Sequence, residues 1–170
     1  FFPDPEIFSS SVFEWEILAA RLRELAFLNK GVEIRLSQEE SAREEVFRFK
    51  GGIQEFVQHL NRNKTPIHPK VIAFEQERDD VQVEIAMQYT DSYQESVFTF
   101  VNNINTHGGG THLAGLKSAL TRTLNTYIRQ EKLLKENQNV PSGDDFREGL
   151  TAVLALAVPE PQFEGQTKDK

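Results

Sequence analysis

A glycine-rich loop, Thr106-His107-Gly108-Gly109-Gly110-Thr111-His112, leads into a long helical pattern. Free backbone N–H groups and the dipole at a helix N-terminus can hold an anion, so the loop is a candidate anion site. The simpler interpretation is a flexible turn between a strand and a helix, and we favour it. His-Gly-Gly-Gly also resembles a lipase oxyanion loop, but the chain lacks a Gly-x-Ser-x-Gly motif, which argues against a serine hydrolase.

Metal binding is not predicted. His107 and His112 are separated by the glycines, and the sequence nominates no third ligand for them. A second polar segment, Asp144-Asp145-Phe146-Arg147, could supply acid–base groups or bind a divalent metal. The alternative is a short helical turn with Asp144 or Asp145 at its N-cap, and the spacing favours that alternative.

The C-terminal segment carries the third candidate group, Gln166-Thr167-Lys168. An amide, a hydroxyl and an ammonium on one loop are suited to a terminal phosphate, with Lys168 as a compact positive charge. A solvated tail would have the same composition, so the residues alone leave both interpretations open. The sequence has no Gly-x-x-x-x-Gly-Lys-Ser/Thr motif and therefore no P-loop of its own.

Composition limits the class of protein that could carry these groups. The chain has 170 residues, 38% of them hydrophobic, which is enough for the core of one ordinary domain. Its net charge of -7 argues against a generally basic nucleic-acid-binding surface, and the absence of Cys excludes disulfides and thiolate metal sites. No apolar run approaches the roughly 20 residues that cross a bilayer, and no signal peptide is visible. A start without Met suggests a segment of something longer.

The basic residues concentrate in the longest predicted helix, from Thr111 to Leu134. Apolar side chains recur there at three- and four-residue spacing, at Leu113, Leu116, Leu120, Leu124, Tyr127 and Ile128. Residues 111–136 contain five basic and two acidic side chains, so this segment is net positive in an acidic chain. Its cations lie outside the apolar stripe, at Lys117, Arg122, Arg129, Lys132 and Lys135.

The remaining periodicities predict an α+β fold in two layers, with a mostly antiparallel sheet and helices on one face. Helices are predicted for Val12–Leu28, capped by Ser9, Ser10 or Ser11, and for Ile53–Leu60. Strands are predicted for Val32–Leu36, Val46–Phe49, Val71–Phe74, Val81–Tyr89, Val97–Val101 and Leu150–Val158. The three strands from Val71 to Val101 should form a meander. The last strand is apolar at nearly every position and should be buried on both faces.

Five segments together resemble the transducer domain of the DNA gyrase B family, in the same order along the chain. They are Phe2-Pro3-Asp4-Pro5-Glu6-Ile7-Phe8, Phe49-Lys50-Gly51-Gly52-Ile53, Gly109-Gly110-Thr111-His112 with Gly115, Gly143-Asp144-Asp145-x-Arg147-Glu148-Gly149-Leu150, and Phe163-Glu164-Gly165-Gln166-Thr167-Lys168. Each segment is a weak signal and the ordered set is a strong one. Gly108 departs from the family, which often has an acidic residue there.

The resemblance implies that residues 1–170 form a single transducer domain, with a fold like domain 2 of ribosomal protein S5 and a left-handed βαβ crossover. It also implies that the ATP pocket and its bound Mg lie in a preceding domain, and that a DNA-cleavage domain follows. By position, Gln166 and Lys168 would contact the γ-phosphate of ATP, with Lys168 as the catalytic residue. The chain alone would be inactive, because it would lack the ATP-binding domain.

The same resemblance implies a cytoplasmic type II topoisomerase that couples ATP hydrolysis to DNA strand passage and negative supercoiling. Its partners would be the gyrase A protein, double-stranded DNA and a second copy of the gyrase B protein, with no membrane. Transducers of a dimer would enclose the passing duplex, so Lys117, Arg122 and Arg129 are candidates for contact with it. An ordinary solvated helix face is the alternative for these three residues.

Three other functions compete with this one. The ATPase subunit of topoisomerase IV shares most of the motifs. A stand-alone RNA- or protein-binding domain of the S5-like fold should carry a basic surface, which this acidic chain lacks. A self-contained hydrolase built on Asp144, Asp145 and His112 is the weakest alternative.

Overall fold

The computed structural model describes residues 3–135 and 138–170. Phe2, in the first motif, lies outside the described residues. The chain divides into two compact units, one ending at Gly52 and one beginning at Ile53. Among the described residues, no helix is both long and apolar enough to cross a membrane.

The first unit packs one helix on a two-stranded hairpin. The elements are α1 (Trp15–Leu28), β1 (Ile34–Gln38) and β2 (Arg43–Phe47), with β1 and β2 antiparallel. Ala19, Ala26 and Phe47 are buried at its centre. The strands lie nearer the tip of the hairpin than predicted, because they include charged residues paired across the hairpin, such as Arg35 with Glu44 at 2.9 Å.

The predicted serine cap of α1 is wrong. The N-cap residue is Glu14, and its side chain makes no capping hydrogen bond. Ser10 lies too far before the helix to reach its first free N–H groups. Its Oγ instead accepts a hydrogen bond from the Val12 N–H at 3.3 Å, which forms a local turn.

The second unit is built on a five-stranded sheet with strand order β3-β4-β7-β5-β6. Its elements are α2 (Ile53–Leu60), β3 (Ile72–Arg78), β4 (Val81–Tyr89), β5 (Ser96–Val101), β6 (Ile104–Asn105), α3 (Thr111–Gln130), a 3₁₀ turn (Asp145–Arg147) and β7 (Leu150–Ala157). Neighbouring strands are antiparallel except β5 and β7, which are parallel and joined through α3. The prediction of an α+β fold with a mostly antiparallel sheet is confirmed, and β5, α3 and β7 form a βαβ unit.

The predicted meander is wrong, because β7 lies between β4 and β5. Residues Leu150–Leu154 of β7 are buried on both faces, as their continuous apolar sequence predicted. A strand with two buried faces belongs in the interior of a sheet, where it also has two neighbours to satisfy its backbone. Therefore β7 separates two strands that are close in the sequence.

The helices of this unit pack on opposite faces of the sheet, whereas the sequence pattern predicted one face for both. Leu116 and Leu120 of α3 pack with the face that carries Ile85 and Leu154. Phe56 of α2 contacts the opposite face, where its ring lies 6.1 Å from those of both Phe98 and Phe100. Hydrophobic periodicity identifies the buried side of each helix but cannot say which face of the sheet covers it.

The long helix ends at Gln130, four residues before the predicted end at Leu134. The N–H groups of Lys132 and Leu133 donate to the carbonyls of Arg129 and Ile128, and Lys132 has a left-handed φ of 51°. These are the two hydrogen bonds of a Schellman motif. Glycine usually occupies the left-handed position of this motif, so no residue type in the sequence marks the end of the helix.

An ion-pair cluster joins α3 to the 3₁₀ turn. Glu95, just before β5, contacts Lys117 at 2.8 Å and Arg147 at 3.1 Å. Arg147 also pairs with Asp144. Partial burial raises the pKa of Glu95, but hydrogen bonds and charge from Lys117 and Arg147 outweigh burial and leave this pKa below its ordinary value. Because these groups come from three separate segments, the cluster fixes one side of α3 to the sheet.

We expect the Glu95 cluster to make stability depend on acid pH. A lowered pKa stabilises the folded state above the ordinary carboxyl pKa of 4.5, and this stabilisation is lost as the pH falls through the folded-state value. Glu95→Gln should therefore cost up to about 1 kcal/mol near pH 7, since the pair is partly exposed, and progressively less below pH ~4. Thermal unfolding followed by circular dichroism from pH 3 to 7 measures both effects.

The matched control is Glu148→Gln, which removes an exposed carboxylate that forms no ion pair within the described residues. It should leave the pH profile unchanged. A stability loss for Glu95→Gln that is the same at pH 3 and pH 7 would contradict the assignment.

Candidate functional site

The segment after β7 folds into a closed loop, residues 164–170, which we call the C-terminal loop. The Glu164 N–H donates to the Lys170 carbonyl at 2.8 Å, and the two side chains form an ion pair at 2.9 Å. At the tip of the loop, the Lys168 N–H donates to the Gly165 carbonyl at 3.1 Å, and Lys168 has a φ of 56°. The three predicted phosphate-binding residues therefore lie on a hydrogen-bonded turn instead of an extended tail.

Lys168 is the available cation of the C-terminal loop. Its side chain is exposed, and its ammonium lies 5.6 Å from the centre of the Phe163 ring. No carboxylate among residues 3–135 and 138–170 pairs with it, whereas Lys170 pairs with Glu164. The face of an aromatic ring attracts a cation, so Phe163 helps to hold the Lys168 ammonium in place.

Gln166 and Thr167, the other two candidate residues of the C-terminal loop, differ in their hydrogen bonding. Gln166 is exposed and its amide has no hydrogen bond within the described part of the chain. The Thr167 hydroxyl donates to Asp169 Oδ1 at 3.0 Å, so it stabilises the turn. Among the described residues, Gln166 and Lys168 therefore have side-chain donors without a hydrogen-bond acceptor, whereas the Thr167 hydroxyl has one.

The glycine-rich loop before α3 anchors the C-terminal loop. The Gly108 N–H donates to the Asp169 carbonyl at 2.7 Å, and the Gly109 N–H donates to the Thr106 carbonyl at 2.9 Å. Two N–H groups of the supposed anion site are thus used within the chain. These hydrogen bonds support the interpretation of the glycine-rich loop as a turn between a strand and a helix. They also give the turn a structural role, because it holds Asp169.

The two histidines of the glycine-rich loop have different surroundings. His107 is exposed, with its Nε2 3.7 Å from Asp169 Oδ2. His112 is half-buried, with its Nε2 2.8 Å from the Thr106 hydroxyl, and burial lowers its pKa. Within the described residues, no group of three or more His, Asp or Glu side chains is placed to hold a metal ion.

A cleft of about 400 Å³ lies between the C-terminal segment and the start of α3. Its walls are mainly apolar, and they include Val101, Leu156, Val158, Pro161 and Phe163. Thr106, His112 and Lys170 supply polar groups at its edge. Residues 160–164 and Lys170 form the C-terminal side of the cleft.

The carboxylates near Arg147 form a capped turn, as the favoured interpretation predicted. The Asp145 carboxylate accepts the Ser142 N–H at 2.7 Å, and Ser142 Oγ accepts the Asp145 N–H at 3.2 Å. Hydrogen bonds from the backbone and side chain of Ser142 to the carboxylate lower the pKa of Asp145. Asp144 occupies the N-cap position without a capping hydrogen bond from its side chain and pairs with Arg147 instead. Ser142 thus supplies the cap that was expected from Asp144 or Asp145.

The three candidate DNA-contacting residues of α3 fall into two groups. Lys117 is half-buried and bound to Glu95. Arg122 and Arg129 are exposed and form no ion pair in the described parts of the chain. Seven residues separate them, which is close to two helical turns, so they share a face, while Lys117 is rotated from Arg122 by about 140°.

Sequence reasoning missed an aromatic residue beside these arginines. Tyr127 was assigned to the apolar stripe of α3, but it is 53% exposed and lines a shallow depression with Arg122, Thr126 and Gln130. The sequence signal that could have identified this surface is an aromatic residue on the same helix face as a cation. The roles of Gly108 and Asp169 had no local signal, because their contact joins distant parts of the sequence.

Comparison with known proteins identifies the family. The model of the DNA gyrase B family matches residues 52–170. Over the whole chain, the DNA gyrase B proteins of Enterococcus faecalis, Clostridium acetobutylicum and Myxococcus xanthus are 49%, 52% and 50% identical, respectively. The chain covers only 27%, 27% and 21% of these relatives, so it spans about a quarter of their length.

Solved structures agree with this assignment. The 43K ATPase domain of Thermus thermophilus gyrase B, solved in complex with an aminocoumarin, has a TM-score of 0.84 and 39% identity, and covers 96% of this chain and 44% of its own. The topoisomerase IV ATP-binding domain of Francisella tularensis, solved with a small-molecule inhibitor, has a TM-score of 0.79 over 99% of this chain and 45% of its own. At 24% identity it shows the fold alone. The chain belongs to the DNA gyrase B family.

Proposed function

We propose that residues 1–170 act as the transducer domain of a gyrase B protein. In this role they couple ATP binding and hydrolysis in a neighbouring domain to DNA strand passage and negative supercoiling. The proposal is supported by DNA gyrase B relatives that are about half identical over the whole chain. One structural observation carries it, which is the closed C-terminal loop with its exposed and unpaired Lys168.

Lys168 and Gln166 have the chemistry that a terminal phosphate requires. An ammonium and an amide N–H₂ both donate hydrogen bonds, and neither group donates one inside the described part of the chain. In the proposed complex they contact the γ-phosphate of ATP bound in the neighbouring domain, where Mg is also bound. Lys168 then has a partner with ATP that it lacks with ADP. The loop ties the two domains while the γ-phosphate is present and releases them after it leaves.

The assembled enzyme is then a cytoplasmic type II topoisomerase that contains the gyrase A protein and two copies of the gyrase B protein. The alternative assignment is the ATPase subunit of topoisomerase IV, whose fold is similar. The identity with several gyrase B proteins favours gyrase.

The exposed arginines of α3 are proposed to contact the transported duplex. Arg122 and Arg129 carry positive charge on one face of a helix in an otherwise acidic chain. Exposed cations without carboxylate partners can exchange their counterions for phosphates, which gives salt-sensitive contacts without base recognition. Lys117 is a weaker candidate because its charge is balanced by Glu95.

Substitution of Lys168 tests the phosphate contact. In the full-length protein, Lys168→Ala should lower ATP turnover by roughly 10²- to 10³-fold, because it removes one preorganised donor from a water-poor site. Nucleotide binding should decrease less. A steady-state ATPase assay and equilibrium nucleotide binding measure the two effects.

Lys170→Ala is the matched control, since it removes an ammonium from the same loop that already pairs with Glu164. It should reduce turnover far less than Lys168→Ala. If Lys168→Ala kept ATPase activity within about threefold of wild type, the proposed role would be contradicted. Removal of one preorganised donor should reduce the rate by far more than threefold.

The 170-residue chain alone should neither hydrolyse ATP nor bind it measurably. One lysine and one glutamine cannot offset the cost of immobilising a nucleotide. Isothermal titration calorimetry with MgATP should therefore detect no binding. A dissociation constant below about 10 μM, or roughly -7 kcal/mol, would contradict the proposal that the pocket lies in another domain.

The DNA contact is tested by Arg122→Glu combined with Arg129→Glu in the full-length protein. We expect DNA-stimulated ATPase and supercoiling to fall while basal ATPase and thermal stability stay near wild type, because both side chains are exposed. The difference from wild type should shrink as the salt concentration rises, since salt weakens the phosphate contacts that only the wild-type protein can make.

The control is Arg78→Glu, which makes the same type of substitution at one site, the last residue of β3, where Arg78 is 85% exposed. It should leave DNA stimulation unchanged. Equal losses of basal and DNA-stimulated activity in the double variant would assign the arginines to a structural role.

A further inference from the structure

The hydrogen bond between Gly108 and Asp169 joins two segments that the proposed function uses separately. Asp169 directly follows Lys168, and Gly108 lies shortly before Thr111, the first residue of α3. The N–H of Gly108 lies 2.7 Å from the Asp169 carbonyl oxygen. The position of the phosphate-contacting lysine is thus coupled to the start of the helix that carries the arginines.

In this chain, the backbone of Asp169 leaves almost no room for a side chain at position 108. A Cβ atom added there would lie 2.9 Å from the carbonyl oxygen of Asp169 and 3.4 Å from its carbonyl carbon. The first distance is shorter than normal contacts allow, and the obstructing atoms belong to the backbone. Any larger residue must therefore displace Asp169 and lengthen the hydrogen bond.

The rest of the C-terminal loop would transmit such a displacement to Lys168. The Glu164–Lys170 hydrogen bond closes the loop, and the Lys168–Gly165 hydrogen bond fixes its tip. The Asp169 carboxylate holds Thr167 on one side and lies near His107 on the other.

We propose that Gly108 and Asp169 are positioning residues for Lys168, and that their hydrogen bond transmits the state of the phosphate contact to α3. The inference rests on the proposed function, because it assumes that Lys168 contacts the γ-phosphate. The inference adds a structural route by which the phosphate contact of Lys168 could affect α3, the helix that carries the arginines. When Lys168 is held by phosphate, Asp169 and Gly108 are held in register and the N-terminus of α3 is fixed.

A double-mutant cycle in the full-length protein tests whether Gly108 acts through Lys168. Gly108→Ala alone should lower kcat/KM for ATP by roughly 10- to 100-fold, as expected when a catalytic group is misplaced by about 1 Å. In a Lys168→Ala background the same substitution should change kcat/KM by less than about twofold, because coupled residues are non-additive. Gly115→Ala is the control, since a Cβ atom there has open space.

The possible outcomes separate the inference from the proposed function. Equal losses from Gly108→Ala in both backgrounds, or a loss below about twofold in the wild-type background, would overturn the positioning role. ATPase activity of Lys168→Ala alone within about threefold of wild type would overturn the proposed function itself.

Hydrogen exchange on the unsubstituted protein provides a readout that does not depend on a folded variant. The Gly108 amide should exchange at least roughly tenfold more slowly than an unprotected amide, and more slowly again with a non-hydrolysable ATP analogue bound. Exchange at the unprotected rate in both states would show that the hydrogen bond does not persist, and would overturn the inference.

Discussion

The burial of β7 on both faces is the constraint on which the second unit depends. A strand that is apolar at Leu150, Ala152 and Leu154 on one face and at Val153 on the other cannot lie at an edge or leave a face in water. It must insert between β4 and β5, and its parallel pairing with β5 requires a long crossover. That crossover is α3. The position of the basic helix and the starting point of the C-terminal loop both follow from the hydrophobicity of one strand.

Electrostatic contacts then fix the orientation of α3. Lys117 and Arg147 share Glu95, which ties the helix to the 3₁₀ turn before β7. The same pairing neutralises Lys117 and leaves Arg122 and Arg129 as the exposed cations of the helix. Lys117 therefore helps to orient the helix, whereas Arg122 and Arg129 are available to a ligand. The sequence pattern had grouped all three residues together. The distinction depends on Glu95, which lies outside the helix.

The sequence predicted features that depend on neighbouring residues and missed those that depend on distant ones. Strand β4 and helix α2 have the predicted bounds, because alternation at Val81–Tyr89 and three- and four-residue spacing at Ile53–Leu60 are local patterns. The order of strands, the face chosen by α2 and the ion pair of Lys117 depend on tertiary packing. At the candidate site, Gln166 and Lys168 were nominated from their side-chain chemistry and from the resemblance, whereas Asp169 was not nominated. Gly108 was noted as a departure from the family, yet its structural reason is a backbone contact with Asp169 that sequence spacing could not reveal.

The closed C-terminal loop fits the physical requirements of a coupling element better than those of a binding site. A single exposed ammonium gains about 1 kcal/mol from an opposite charge in water, but several times more where water is excluded. In the proposed role, Lys168 would therefore have little affinity for phosphate in solution and would interact strongly only where another domain surrounds both groups. Such an interaction can be switched by the presence of one phosphoryl group, provided that the loop does not simply bend to follow it. The hydrogen bonds from Glu164 to Lys170 and from Gly108 to Asp169 resist that bending, so in the proposed mechanism the free energy of the phosphate contact would be available to move or hold α3.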